Sequence, residues 1–132
     1  MPAPDDDGRR PFAYSLLRVV PRVERGERLN VGIVLFCRQL DFLELRAHVD
    51  DARLAALAPG LDPERVRARL EALAGIAQGD EGAGPLGRLS QSERFGWIVA
   101  PASTIIQHSE VHTGVTSDPA GTLGRLFARL VT

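Results

Sequence analysis

Two blocks of this chain combine polar or reactive side chains at spacings that could do chemistry. In His108-Ser109-Glu110-Val111-His112 the His, Glu and His stand two apart. In an extended strand all three would project from one face, with about 7 Å between successive positions. That is wide for one ion, because zinc takes donors at about 2 Å and would have to recruit a ligand from elsewhere. The helical arrangement of two His four apart around a Glu is absent, so no metal is assigned. The second block is Arg18, Glu27 and Asn30. Gly26 supplies a tight turn, and Glu27 can accept hydrogen bonds from Arg18 or from turn amides. One reading is that Arg25, Glu27 and Asn30 clamp a hairpin connection. The other is a small polar site at the end of a sheet, lined by Arg18, Glu27 and Asn30, to which Gln107 and His112 would contribute. The residues alone leave both open and favour closure.

Other chemistries lack their motifs. Gly79, Gly82, Gly84 and Gly87 precede no Lys-Ser/Thr pair and follow no strand, so ATP or dinucleotide binding has no support and no cofactor is assigned. No serine nucleophile elbow is present. The single cysteine, Cys37, excludes an internal disulfide and a multi-thiolate site, and its apolar neighbours predict a buried, inert thiol. No residue pattern supports catalysis, and whether the chain is an enzyme stays undecided at this level.

Charge narrows the partners. Every positive side chain is Arg, with no Lys, alongside abundant Ala, Gly and Pro. Codon usage in a GC-rich genome accounts for that pattern, so the Arg count carries little functional weight. Setting aside residues 1–11, which hold three Asp and two Arg, the body is formally neutral. A general phosphate-tracking surface therefore finds no support, which disfavours nucleic acid as a partner. The acidic, Pro-rich start does not resemble a secretory signal, and no apolar run is long enough to span a bilayer. The expectation is a protein of the cytoplasm with no membrane partner.

These side chains have to be positioned by the elements around them. A chain of 132 residues, 44% hydrophobic and 25% charged, suits one domain with one core. Residues 1–11 read as a flexible tail and 12–132 as a single α+β domain. Phe12 to Val20 predicts a strand stopped by Pro21, with Phe12, Tyr14, Leu16, Arg18 and Val20 on one face and Ala13, Ser15, Leu17 and Val19 on the other. Leu29 to Cys37 is apolar on both sides, as a central strand should be. Phe42 to His48 alternates and should be half exposed. A turn centred on Gln39-Leu40 would set Leu35 opposite Glu44, Ile33 opposite Arg46 and Phe36 opposite Leu43.

Asp50 or Asp51 should cap a short helix running to Ala58, and Asp62-Pro63 a longer one whose buried stripe is Val66, Leu70, Leu73 and Ala77. Gln78 to Gly87 reads as a mobile loop, and Leu89 to Ile98 as a helix in preference to a strand. Ser103 to Gln107 and Glu110 to Val115 look strand-like, with a break at Ser109. Asp118-Pro119 should cap a last helix with an apolar stripe of Leu123, Leu126, Phe127, Leu130 and Val131. This order predicts an antiparallel sheet centred on an N-terminal hairpin or meander, with three to four helices packed mainly on one face. If the third strand is an open edge, it would also offer a site for homodimer pairing.

Three stretches together resemble a known family. They are Tyr14-Ser15-x-x-Arg18-x-x-Pro21, then Arg25-Gly26-Glu27-x-x-Asn30-Val31-Gly32-x-Val34-Leu35, then Gln107-x-Ser109-x-Val111-His112-x-Gly114-x-x-x-Asp118-Pro119. They are similar to the bacterial family catalogued as domain of unknown function 3037, over nearly everything from Phe12 to Val131. Glu110 stands where many relatives carry Pro, which further weakens the metal reading. The family has no established activity or catalytic residues. Its members are often encoded beside HipA-like kinases, so the resemblance implies a kinase-like protein partner and a regulatory setting, an associational warrant only. The leading functional expectation is a noncatalytic protein-interaction module that uses the third strand or the Arg18/Glu27/Asn30 end of the sheet. The alternative is a small enzyme or ligand-binding domain with its site at Arg18, Glu27, Asn30, Gln107 and His112.

Overall fold

The structure is a computed structural model that describes residues 7–101 and 105–132. Strands β1 (Arg10–Val19), β2 (Leu29–Cys37) and β3 (Phe42–Ala47) form an antiparallel meander. Helices α1 (Asp51–Leu57), α2 (Pro63–Gln78) and α3 (Gln91–Ile98) follow, then β4 (Ile106–His108), β5 (His112–Thr116) and α4 (Pro119–Leu130). The five-stranded sheet runs β3-β2-β1-β4, and β5 also pairs with β1. β1 starts at Arg10, two residues before the expected strand, because Arg10 and Pro11 pair with Thr116 and Val115. Residues 103 and 104, expected to begin the fourth strand, lie outside the described residues, as do 1–6 of the expected tail.

The β2–β3 register is the one that apolar matching demands, with Ile33 opposite Arg46, Leu35 opposite Glu44 and Phe36 opposite Leu43. Between β1 and β2 the register slips: Leu17 pairs with Gly32 but Arg18 with Asn30, so Val31 is an extra residue. This bulge lets Val31 and Val34 both face the same core, where strict alternation would turn them apart. Gly32 beside it is tightly enclosed, since a Cβ there would lie 3.1 Å from the Arg46 carbonyl oxygen.

Cores form on both faces of the sheet. α1, α2 and α3 cover one face, burying Leu17, Val19, Val34 and Leu45 against Leu54, Val66, Leu70 and Phe95. α4 alone covers part of the other, packing Leu123 and Val131 on Leu16, Ile33, Leu35 and Cys37. Helix starts are chemically marked: the carboxylates of Asp50, Asp62 and Asp118 accept backbone N–H groups at the starts of α1, α2 and α4. α3, ambiguous from periodicity, is fixed by a capping box between Ser90 and Glu93. The Gly-rich stretch expected as a loop instead winds into 3-10 turns over Glu81–Arg88, interrupted at Gly84 (φ 66°). Among the described residues no helix is long and apolar enough to cross a membrane.

Candidate functional site

The open half of the α4 side of the sheet is set up by a break in one edge strand. Leu17 pairs with His108 and Tyr14 with His112, so two residues of β1 face three of the partner segment between β4 and β5. The extra residue reverses the facing of the residues after it. His108 therefore shares the side of Leu17, toward α1–α3, while His112 shares the side of Tyr14, toward α4. This corrects the expectation that His108, Glu110 and His112 project together, because the segment is not a continuous strand. Among the described residues no three His, Cys, Asp or Glu side chains cluster as metal ligands would.

Two buried serines hold the break. Ser109 Oγ accepts from the Leu16 N–H at 2.8 Å, Ser15 Oγ donates to the Ser109 carbonyl oxygen at 2.8 Å, and the Ser109 N–H donates to the Leu16 carbonyl oxygen at 2.8 Å. Both side chains are inaccessible to water, Ser15 at 0% and Ser109 at 2% exposure. Buried polar groups persist only when paired in this way.

With that register, Arg18, Gln107 and Asn30 become direct cross-strand neighbours, since Arg18 pairs with both of the others. Tyr14 and His112 lie farther along the same face, with ring centroids 5.2 Å apart. His112 Nε2 stands 3.8 Å from Glu110 Oε1. α4 packs chiefly over β2 and β3. Its last turn is fastened to the sheet by Asn30 Nδ2, which donates to the Leu130 carbonyl oxygen at 3.0 Å.

Beside this junction lies a pocket of about 330 Å³ lined by Arg18, Arg28, Asn30, Arg53, Leu130 and Val131. Three guanidinium groups come to it from β1, from the β1–β2 connection and from α1, and among the described residues no carboxylate lines it. The Nε of Arg18 is buried and has no hydrogen-bond partner among the described residues. Burial, and then the neighbouring Arg28, lower the Arg18 pKa, while Glu110 opposes them. The C-terminal end of α4 lends partial negative charge to one wall, and Asp50 stands 3.9 Å from Arg53 at the rim. The charged residues in the pocket's lining are all cationic, the character that suits an oxyanion.

Glu27 is placed elsewhere. It forms an ion pair with Arg25 at 2.5 Å across the turn closed by Gly26, whose φ of 69° favours glycine. It lines a larger opening of about 520 Å³ on the α1 side, with Val19, Pro21, Pro59 and Ile105. So of the five residues singled out from the sequence, Arg18, Asn30, Gln107 and His112 share one face, and Glu27 serves the connection.

A family profile described as "Protein of unknown function (DUF3037)" matches residues 14–131. The chain belongs to the DUF3037 family. No curated protein and no solved structure matches it. The DUF3037 blocks seen in the sequence acquire physical roles here: Ser15 and Ser109 lock the edge strand, Asn30 anchors α4, and Arg18 stands beside that anchor with its Nε lacking a hydrogen-bond partner among the described residues. Sequence reading missed Arg28 and Arg53, which carry no periodic or motif signal and gain meaning only where three separate elements converge. It also missed the Ser15–Ser109 lock, although the break at Ser109 was legible.

Proposed function

We propose that this domain is a noncatalytic recognition module that holds an anionic group of a protein partner in the Arg18–Arg28–Arg53 pocket. The observation that carries the reading is the buried, unpartnered Nε of Arg18 in a pocket whose described lining has three guanidinium groups and no carboxylate. Burying the Nε–H of a guanidinium without an acceptor is costly, and an incoming oxyanion toward which the Arg18 side chain turns would supply one. Gln107 and His112, on the same face, would contact the remainder of the bound segment. Cys37, the only thiol, is buried with its Sγ 3.3 Å from the Pro11 carbonyl oxygen, so it is no accessible nucleophile.

The partner to test first is the HipA-like kinase that family association suggests. The domain and that kinase should co-elute after co-expression, and Arg18→Gln combined with Arg28→Gln should abolish the complex without unfolding the domain. Co-elution unaffected by the double substitution would remove the pocket from the interface. Absence of any complex with the wild-type chain would remove the kinase.

A further inference from the structure

β3 ends the sheet, and among the described residues no strand pairs with its outer side. The His48 N–H donates to the Val31 carbonyl oxygen at 2.9 Å, in line with the β2–β3 register, which makes these two a hydrogen-bonded pair. Such pairs recur at every second residue of an antiparallel ladder. Phe42, Glu44 and Arg46 therefore turn their backbone groups toward β2, and Leu43, Leu45 and Ala47 turn theirs toward the open edge. Leu43 and Leu45 project into the α1–α3 core, and Glu44 and Arg46 project from the opposite face, partly exposed.

We propose that this edge is a homodimer interface in which two copies of β3 pair antiparallel about a two-fold axis through Leu45. The register follows from charge and from hydrogen-bond parity together. An axis at Leu45 sets Glu44 opposite the partner's Arg46 twice over, places Leu45 against its own copy, and puts Leu43 opposite the partner's Ala47. An axis at Glu44 or at Arg46 would oppose like charges, and one at Leu43 would leave both charges facing Phe42 and Leu40 of the second copy. Only the Leu45 axis meets both conditions, setting opposite charges face to face and centring the ladder on a residue whose N–H and C=O groups already point outward.

β3 carries no Pro, a residue that commonly blunts an open edge, and its two charges, being of opposite sign, complement each other across the two-fold. A groove of about 480 Å³ adjoins it on the α2 side, lined by Leu45, Ala47, Leu70 and Ala74 with Arg67 and Glu71. Because the axis is perpendicular to the sheet, the two α2 helices would flank it on one side and extend the buried area beyond the paired strands. Arg18 is separated from this edge by β2, so the dimer leaves the cationic pocket open.

Sedimentation velocity over a concentration series tests the interface. The wild-type chain should dimerise. Glu44→Arg or Arg46→Glu alone should weaken dimerisation about tenfold or more by setting like charges opposite each other twice. The double exchange, Glu44→Arg with Arg46→Glu, should restore it. Ala47→Pro removes one outward N–H at an edge position that tolerates Pro and should leave a folded monomer by circular dichroism. A wild-type chain that stays monomeric throughout, or a dimer that survives both the single reversals and Ala47→Pro, would overturn the proposal.

Discussion

Replacing Ser109 by Ala tests whether the serine lock sets the register on which the candidate site depends. The substitution removes the acceptor of the Leu16 N–H, which lies in a central strand with Leu16 itself only 7% exposed. A buried donor left without a partner costs about 1–3 kcal/mol, and losing the contact with Ser15 Oγ adds up to about 1 kcal/mol. The expected loss is about 2–3 kcal/mol, a large part of the roughly 5–15 kcal/mol that holds an ordinary domain together. At this chain length that corresponds to a melting temperature lower by about 7–11 °C. Equilibrium unfolding in urea, followed by far-ultraviolet circular dichroism, reads the difference directly. Ser90→Ala is the comparison, since it removes an exposed helix cap and should cost about 1 kcal/mol. If Ser109→Ala costs no more than Ser90→Ala, the buried bridge is not what holds the break.

Other perturbations probe particular contacts. A Cβ at Gly114 would lie 2.7 Å from the Phe12 ring, so Gly114→Ala should destabilise by about 1–3 kcal/mol in the same urea assay, and less in a Phe12→Ala background. The Asp50 carboxylate is held below the usual aspartate range, first by the Arg53 N–H. Its contribution to stability is present above the ordinary aspartate value and is lost as pH falls through the lowered one. Asp50→Asn, which keeps a cap at α1, should flatten that part of the acid limb in a stability-versus-pH series. Arg18→Gln should leave urea stability unchanged or slightly raised, because it deletes a partly buried guanidinium whose Nε has no hydrogen-bond partner among the described residues.

The sequence reveals those parts of the fold that periodicity and capping determine. The β2–β3 register was legible because only one alignment sets Leu43 and Leu45 opposite Phe36 and Val34. The Asp50, Asp62 and Asp118 caps were legible because short acceptor side chains precede each helix. Of the two one-residue bulges, the one at Val31 was not legible, because it continues an apparently regular pattern, and at Ser109 the break was legible but its extra residue was not. The second reverses the facing of His112 relative to His108 and dissolves the apparent His-Glu-His face. The side chosen by α4 was also hidden, since its apolar stripe would fit either face of a sheet with cores on both sides. Of the candidate site, Arg18, Asn30, Gln107 and His112 were visible as polar residues on strands. Arg28 and Arg53 were not, because convergence of three elements leaves no trace in local spacing.

The central claim is that the Arg18 guanidinium awaits an oxyanion. Its most direct test is the Arg18 Nε–H resonance in a ¹H–¹⁵N spectrum during titration with inorganic phosphate at constant ionic strength. The expected result is a saturable shift of that resonance, with the Arg28 and Arg53 signals moving along the same binding curve and the response weakened about tenfold or more by Arg28→Gln. An Arg18 signal that stays in place while phosphate reaches high concentration would contradict the account.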